Sequence, residues 1–465
     1  MITKISNIAL LSLGCPKNQV DSEILLGQLK GNRLRYTADP KDADILIINT
    51  CSFVQDAIRE SIDEIMGGIQ WKQEKPGRKL FVMGCLPQRY PDDLAKELPE
   101  VDGFFGVGEF GEMVEALDGV KWGHLTPRSP LLGGVRCPHL TPSSDDLFLK
   151  RRLLSLPHTA YLRIADGCSQ GCRYCTIPRI RGPYRSRKPD DILREAEHLV
   201  DTGAVELIVI AQETTSYGKD LDPPSGLITL LRDMSRIDPL HWIRLMYSHP
   251  PALTTDMIHE LASIDKLCPY LDFPIEHASD KVLRAMGRRS TQSGLREQIS
   301  LLRDAIPNIA LRTSIIVGHP GEGEGEFSEL VKFLDEIRFD HLGVFTFSPE
   351  EGTPSFDQVD PVLPEEAQNR RDQLMMLAEE WAEERNQSRI GNTEVVLIDD
   401  VDPISKISIG RTRYDAPEID GTVIINGIIK PGDLAAVTIT GYREHDLLAQ
   451  KITDRQHNEY AFNQI

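Results

Sequence analysis

The chain has 465 residues, 40% of them hydrophobic, eight cysteines and a formal net charge of −19. That length predicts two to four domains with ample core, and the acidity excludes a surface that attracts polyanions everywhere. Eight cysteines are too few for a disulfide scaffold. No apolar run approaches a membrane span, and no small-residue cleavage site follows the first one, so the expected location is the cytoplasm.

Residues 1–125 read as one domain. Apolar runs at 8–13, 44–49 and 79–84 have the unbroken character of buried parallel strands. Helical patterns at 21–29, 54–69 and 92–98 separate and follow them, which predicts an open parallel α/β sheet. Cys15 and Cys51 each follow a strand by two residues, and Cys85 follows the third directly. All three therefore fall at the carboxyl edge, where open α/β sheets place their sites. The three thiols are either a convergent metal-cluster site or ordinary buried cysteines, since free Cys is often buried. Each stands beside turn-forming residues such as Gly14, Pro16, Gly84 and Pro87.

Residues 126–156 are rich in chain breakers and read as a linker. Arg136, Lys150, Arg151 and Arg152 make the linker locally basic, the pattern of a solvated face.

From 157 to 385, six apolar runs alternate with amphipathic helical segments. The runs lie at 159–164, 205–211, 242–246, 270–275, 311–317 and 342–347. This predicts a partial (β/α)6 barrel, two strands short of a complete TIM-like one. Cys168, Cys172 and Cys175 follow the first strand. Three thiolates leave one iron of a four-iron cluster open to a small ligand, whereas ferredoxin-type sites usually supply four cysteines. A structural zinc loop would want a fourth Cys or His nearby, and the next histidine is His198. Six basic residues lie between 173 and 188, a local concentration in an acidic chain, and Arg163 is a candidate for shielding the charge of a buried cluster. A long polar helix over 365–387 leads into the last module. Residues 386–456 carry five short β runs and predict a small five-stranded barrel of the oligonucleotide-binding type.

The Cys168, Cys172 and Cys175 spacing resembles the signature of the radical S-adenosylmethionine (SAM) enzymes. The segments Ser12-Leu-Gly-Cys-Pro-Lys-Asn18, Asn49-Thr-Cys-Ser-Phe53 and Met83-Gly-Cys-Leu-Pro-Gln-Arg89 resemble the three cysteine motifs of the methylthiotransferases within that superfamily. Gly410-Arg-Thr-Arg-Tyr-Asp415 resembles the TRAM module that ends them, so the resemblance covers essentially the whole chain. It implies two 4Fe-4S clusters. Cys168, Cys172 and Cys175 would hold the one that binds and cleaves SAM to a 5′-deoxyadenosyl radical. Cys15, Cys51 and Cys85 would hold an auxiliary cluster used in sulfur transfer. The implied SAM contacts are Tyr174, Gln212, Glu213, Glu276, Val317 and Gly318. Glu276 stands where the family usually has Gln, and His319 where it usually has an aromatic residue. The Cys-Pro-Lys-Asn form of the first motif is similar to the RimO branch. That branch implies conversion of an aspartate of ribosomal protein S12, free or in the small ribosomal subunit, to 3-methylthioaspartate. It further implies an electron donor, a sulfur source, no membrane and a monomer.

Two alternatives remain at this level. One is methylthiolation of an adenosine in transfer RNA, and the other is a non-enzymatic iron–sulfur carrier. Residues 386–455 hold eight Lys and Arg against eleven Asp and Glu. A reader of nucleic acid draws its affinity from phosphate neutralisation and should show a basic face. An acidic module suits a basic polypeptide better.

Overall fold

The computed structural model describes residues 6–29, 34–117 and 145–452. Cys137 and most of the expected linker lie outside the described residues. Five parallel strands form the first sheet: β1 (Ser6–Ser12), β2 (Leu34–Tyr36), β3 (Ile45–Thr50), β4 (Lys79–Gly84) and β5 (Gly103–Phe105), in the order β2-β1-β3-β4-β5. Strand β3 is buried along its whole length, as its unbroken apolar run requires. The edge strands β2 and β5 went unread because three residues each are too few to carry a period. Helices Pro16–Gln28 and Gln55–Gln73 pack against the sheet.

The second sheet has six parallel strands: β6 (Thr159–Arg163), β9 (Glu206–Ile210), β10 (Trp242–Leu245), β11 (Leu267–Asp272), β12 (Ala310–Val317) and β13 (His341–Thr346). They pair in sequential order and remain open, a partial barrel. A two-residue ribbon, β7 (Ala165–Asp166) with β8 (Arg185–Ser186), brackets the central cysteine loop. The outward side chains of the strands, Leu162, Val209, Ile243, Leu271 and Ile315 among them, form one core with the surrounding helices.

The last five strands close into a barrel: β14 (Thr393–Asp402), β15 (Ile407–Thr412), β16 (Val423–Asn426), β17 (Leu434–Arg443) and β18 (Asp446–Lys451), in the order β14-β15-β16-β18-β17. Its own core is Val396, Ile398, Val423, Ile425, Val437 and Ile439. A separate hydrophobic cluster joins all three units, running from Ile24 and Phe81 through Tyr161, Ile208 and Trp242 to Leu397 and Ala416. Among the described residues, no helix is long and apolar enough to cross a membrane.

The reading of Arg151 as part of a solvated face is corrected. It is buried, its guanidinium within 3.3 Å of Glu23 and 3.2 Å of Glu195. Opposite charges on two flanking helices take it out of water, which composition alone could not disclose. Just before it, Asp145–Leu149 forms a short helix where breakers suggested only linker.

Candidate functional site

The auxiliary motif is organised by Asn18, which is fully buried. Its Nδ2 donates to the Leu13 carbonyl and the Thr50 carbonyl, both at 3.0 Å. Its Oδ1 accepts from the Cys85 thiol at 3.5 Å. One side chain thus ties together the ends of β1 and β3 and the residue that follows β4. Cys15 caps helix Pro16–Gln28, where the positive end of the helix dipole favours a thiolate. Gly14 has φ +85°, and a Cβ there would stand 2.8 Å from the Cys51 Cβ and 3.1 Å from its sulfur. The backbone can approach Cys51 only because the side chain is absent.

Cations face these thiols. Burial pushes the Cys15 thiol up, but the Lys17 ammonium and the Arg181 guanidinium outweigh it and hold the pKa below the ordinary value. Cys51 is raised by burial and by the charge of Cys15. Cys85 is pushed up to about 12 by burial, against the pull of Arg181, and the charges of Cys51 and Cys15 push the same way. Each thiolate formed makes the next harder to form, the electrostatic sign of sulfurs sharing one enclosure.

Arg181 comes from the central cysteine loop. It donates to Asn18 Oδ1 at 2.7 Å, pairs with Asp21 at 2.8 Å and stands 4.0 Å from the Cys85 sulfur. Thr176, next to Cys175, donates to the Phe53 carbonyl near Cys51. The loop that carries the central trio therefore packs against the auxiliary motif. Arg163, read as a shield for the cluster, instead pairs with Asp21 at 2.6 Å. It acts through the carboxylate it shares with Arg181.

In the central loop, Gly167 (φ +75°) lets the chain pass under Pro183, whose carbonyl would lie 2.2 Å from an added Cβ. Gly171 (φ +76°) turns the loop with open space beside it. The Cys168 amide bonds the Gly182 carbonyl at 3.1 Å. Arg288, without a sequence signal of its own, lies 3.7 Å from the Cys172 sulfur, 3.0 Å from His249 Nδ1 and 4.0 Å from Glu276. Burial raises the thiol pKa of Cys168 and Cys175, so cationic or metal partners are needed to keep them ionised.

Four of the six residues implied as SAM contacts, Tyr174, Gln212, Glu213 and Glu276, lie beside this loop. Tyr174 neighbours Glu276, whose carboxyl pKa burial raises. Glu276 has φ +67°, a strained conformation. Gln212 neighbours Asp166, and Glu213 accepts from Gln170 at 3.0 Å and from the Ser216 amide at 3.0 Å. The Val317 carbonyl accepts from the Phe347 amide at 2.8 Å, and the Gly318 amide donates to Glu322 at 2.9 Å. His319 is buried, its Nε2 3.1 Å from the Ser355 hydroxyl.

The donor set suits anionic iron–sulfur groups. The seven described cysteines are all free, each trio has nearby cations, and glycines open the backbone beside both trios. Among the described residues, no trio of His, Cys, Asp or Glu is close enough to hold a single metal ion. A four-iron cluster places each thiolate on its own iron and so needs wider spacing than a mononuclear site.

Comparison with known proteins covers the same three units. Residues 7–106 match the "uncharacterized protein family UPF0004", 162–334 the radical SAM superfamily and 390–452 the TRAM domain. The chain is 42% identical over 448 residues to the ribosomal protein uS12 methylthiotransferase RimO of Geobacter sulfurreducens, covering 96% of this chain and 98% of that one. It is 43% identical to the protein of the same name from Pelotomaculum thermopropionicum, covering 96% and 99%. Among solved structures it is similar in fold to the radical SAM methyltransferase TsrM of Kitasatospora setae, with a TM-score of 0.56, 14% identity, and coverage of 76% of this chain and 75% of that one.

Proposed function

The chain belongs to the RimO-type methylthiotransferases of the radical SAM superfamily, and we propose that it converts an aspartate of ribosomal protein uS12 to 3-methylthioaspartate. Cys168, Cys172 and Cys175 would hold the cluster that binds SAM, and Cys15, Cys51 and Cys85 would hold the auxiliary cluster. When bound, these clusters and SAM supply the electron, the sulfur and the methyl group that an unactivated C–H bond demands. The protein's part is to hold the parts in register and exclude water.

One observation carries this reading: Arg181, from the loop of one trio, bonds Asn18 and approaches Cys85 of the other. Two groups held on those trios work at a shared interface. Arg288 balances charge at Cys172 and fixes Glu276. Tyr174, Gln212, Glu213 and Glu276 supply polar contacts to SAM, while Val317 and Gly318 supply packing surface.

The choice of a protein substrate over transfer RNA is supported at the seam of the final barrel, where Arg411 and Arg413, and Arg389 of the preceding helix, are paired within the chain. Arg411 pairs with Glu206 at 2.8 Å and Asp399 at 2.6 Å, Arg413 bonds the carbonyls of Asp265 and Leu267, and Arg389 pairs with Glu394 at 2.6 Å. Those charges are not available to phosphates. The protein works as a monomer in the cytoplasm with an external electron donor and sulfur source.

The test is a paired anaerobic assay with both clusters rebuilt and SAM, sulfide and reductant present. One sample holds uS12 and the other unmodified transfer RNA, and each product is weighed. Replacement of a hydrogen by a methylthio group on the uS12 aspartate alone is expected. The same gain on RNA alone would overturn the substrate while leaving the family intact.

A further inference from the structure

Glu322 is buried in the turn after β12, and its carboxylate serves three parts of the fold. Oε2 accepts from the Gly318 amide at 2.9 Å. The same oxygen faces His277 Nε2 at 3.5 Å. His277 Nδ1 accepts from the Ser279 amide at 2.9 Å, which puts a ring proton on Nε2, toward Glu322. Oε1 accepts from Arg370 Nη1 at 2.7 Å, and that nitrogen also donates to the Glu322 carbonyl at 2.9 Å.

Two of these parts are stretches implied to meet SAM. Gly318 belongs to one. His277 follows Glu276 in the other, and Glu276 lies alongside β12. Its amide donates to the Ser314 carbonyl at 2.9 Å, and its carbonyl accepts from the Ile316 amide at 2.8 Å. The third part is remote in sequence. Arg370 is 6% exposed and comes from helix Pro364–Arg389, about 39 Å long at the helical rise per residue. The helix touches the turn directly, since a Cβ on Gly318 would lie 2.5 Å from the Ala367 Cβ. Its far end is fixed on the closing barrel, where Arg389 pairs with Glu394 at 2.6 Å and Asn386 donates to the Glu444 carbonyl at 3.4 Å.

A buried carboxylate needs a counter-ion. Among the described residues, Arg370 is the only arginine or lysine paired with Glu322. Without it the carboxylate must move toward water or take up a proton, and either change weakens its hold on Gly318 and His277. We propose that Arg370 is a positioning residue for SAM: through Glu322 it holds the Gly318 turn and the Glu276–Ser279 turn at one spacing, so that both meet the ligand together. It acts through Glu322 and not on the reacting atoms. This rests on the reading that SAM binds at the central trio, and not on the choice of uS12.

The test titrates S-adenosylhomocysteine calorimetrically into cluster-loaded protein carrying Arg370→Met, Arg370→Lys or Arg385→Met. Arg385 lies on the same helix and donates to the Asp340 carbonyl, so its loss loosens the helix without touching Glu322. Arg370→Met should weaken binding about tenfold, the scale of one hydrogen bond to a charged group. Arg370→Lys should lose about threefold, because an ammonium lacks the planar fork that spans Glu322 and Glu366. Arg385→Met should bind as the wild type does, whatever its Tm. In turnover, Arg370→Met should raise KM for SAM and leave KM for uS12 unchanged. Wild-type affinity in Arg370→Met, or in Arg370→Lys where the Met variant does not fold, would overturn the proposal. So would an equal loss of affinity in Arg385→Met, since the helix would then act only as a structural support. If the wild-type protein binds no S-adenosylhomocysteine, the SAM reading itself falls and takes the proposal with it.

Discussion

Arg181 donates to Asn18 Oδ1 at 2.7 Å across 163 positions of sequence, both side chains being almost wholly removed from water. The bond joins the helix behind Cys15 to the loop behind Cys175, and Asp21 closes the other side of the guanidinium at 2.8 Å. A charge-assisted hydrogen bond in such a place orients as well as attracts.

Removing either partner strands the other. Arg181→Met should lower unfolding stability by roughly 3–5 kcal/mol, because Asp21 then keeps only Arg163 as counter-ion. Asn18→Ala should cost about 1–3 kcal/mol. The double variant should cost less than the sum, since the two share one interaction. Urea unfolding of the four proteins checks the cycle.

The two cysteine trios should separate in function. Replacing Cys168, Cys172 and Cys175 by alanine should abolish both SAM cleavage and product. Replacing Cys15, Cys51 and Cys85 should leave SAM cleavage measurable and abolish methylthio transfer. Each set should halve the iron bound by reconstituted protein. Chromatography of SAM fragments, substrate mass and iron analysis check the three outcomes.

His319 should make the protein sensitive to mild acid. Burial lowers its pKa to about 4, against the bond it makes to the Pro320 carbonyl. The unfolded chain takes up a proton near pH 6.5 and the folded chain does not, so stability is full above about pH 6.5 and falls as pH drops toward 4. The loss is about 1.4 kcal/mol per pH unit within that window. His319→Phe removes the group, so its Tm should fall less between pH 7 and pH 5 than the wild-type Tm does.

Gly84 adopts φ +101°, and a Cβ there would lie 2.2 Å from Asn49 Oδ1 and 2.8 Å from the Thr50 carbonyl. Gly84→Ala should destabilise by about 2 kcal/mol or more, because backbone and side chain must both move. It should also displace Cys85, the next residue, and reduce the iron bound. Thermal unfolding and iron content check both effects.

The sequence by itself determined the six long inner strands of the partial barrel, the three inner strands of the first sheet and the five strands of the closing barrel. Apolar runs and breaker positions are local properties, and these elements are long enough to show them. It also brought each cysteine of the first trio to a strand end, because strand order dictates which residues share a sheet edge. Three-residue edge strands and the two-residue ribbon lacked enough chain to display a period. Contacts between distant residues were decided only by the tertiary structure. Arg163 and Arg181 are alike in sequence, yet docking of helix Pro16–Gln28 makes both partners of Asp21 and also brings Arg181 to the Cys85 thiol. Lys17 reads as one more surface lysine until the barrel places Tyr247 beneath it. Burial and charge pairing depend on which surfaces meet, and that is settled by packing across hundreds of residues rather than by any local pattern.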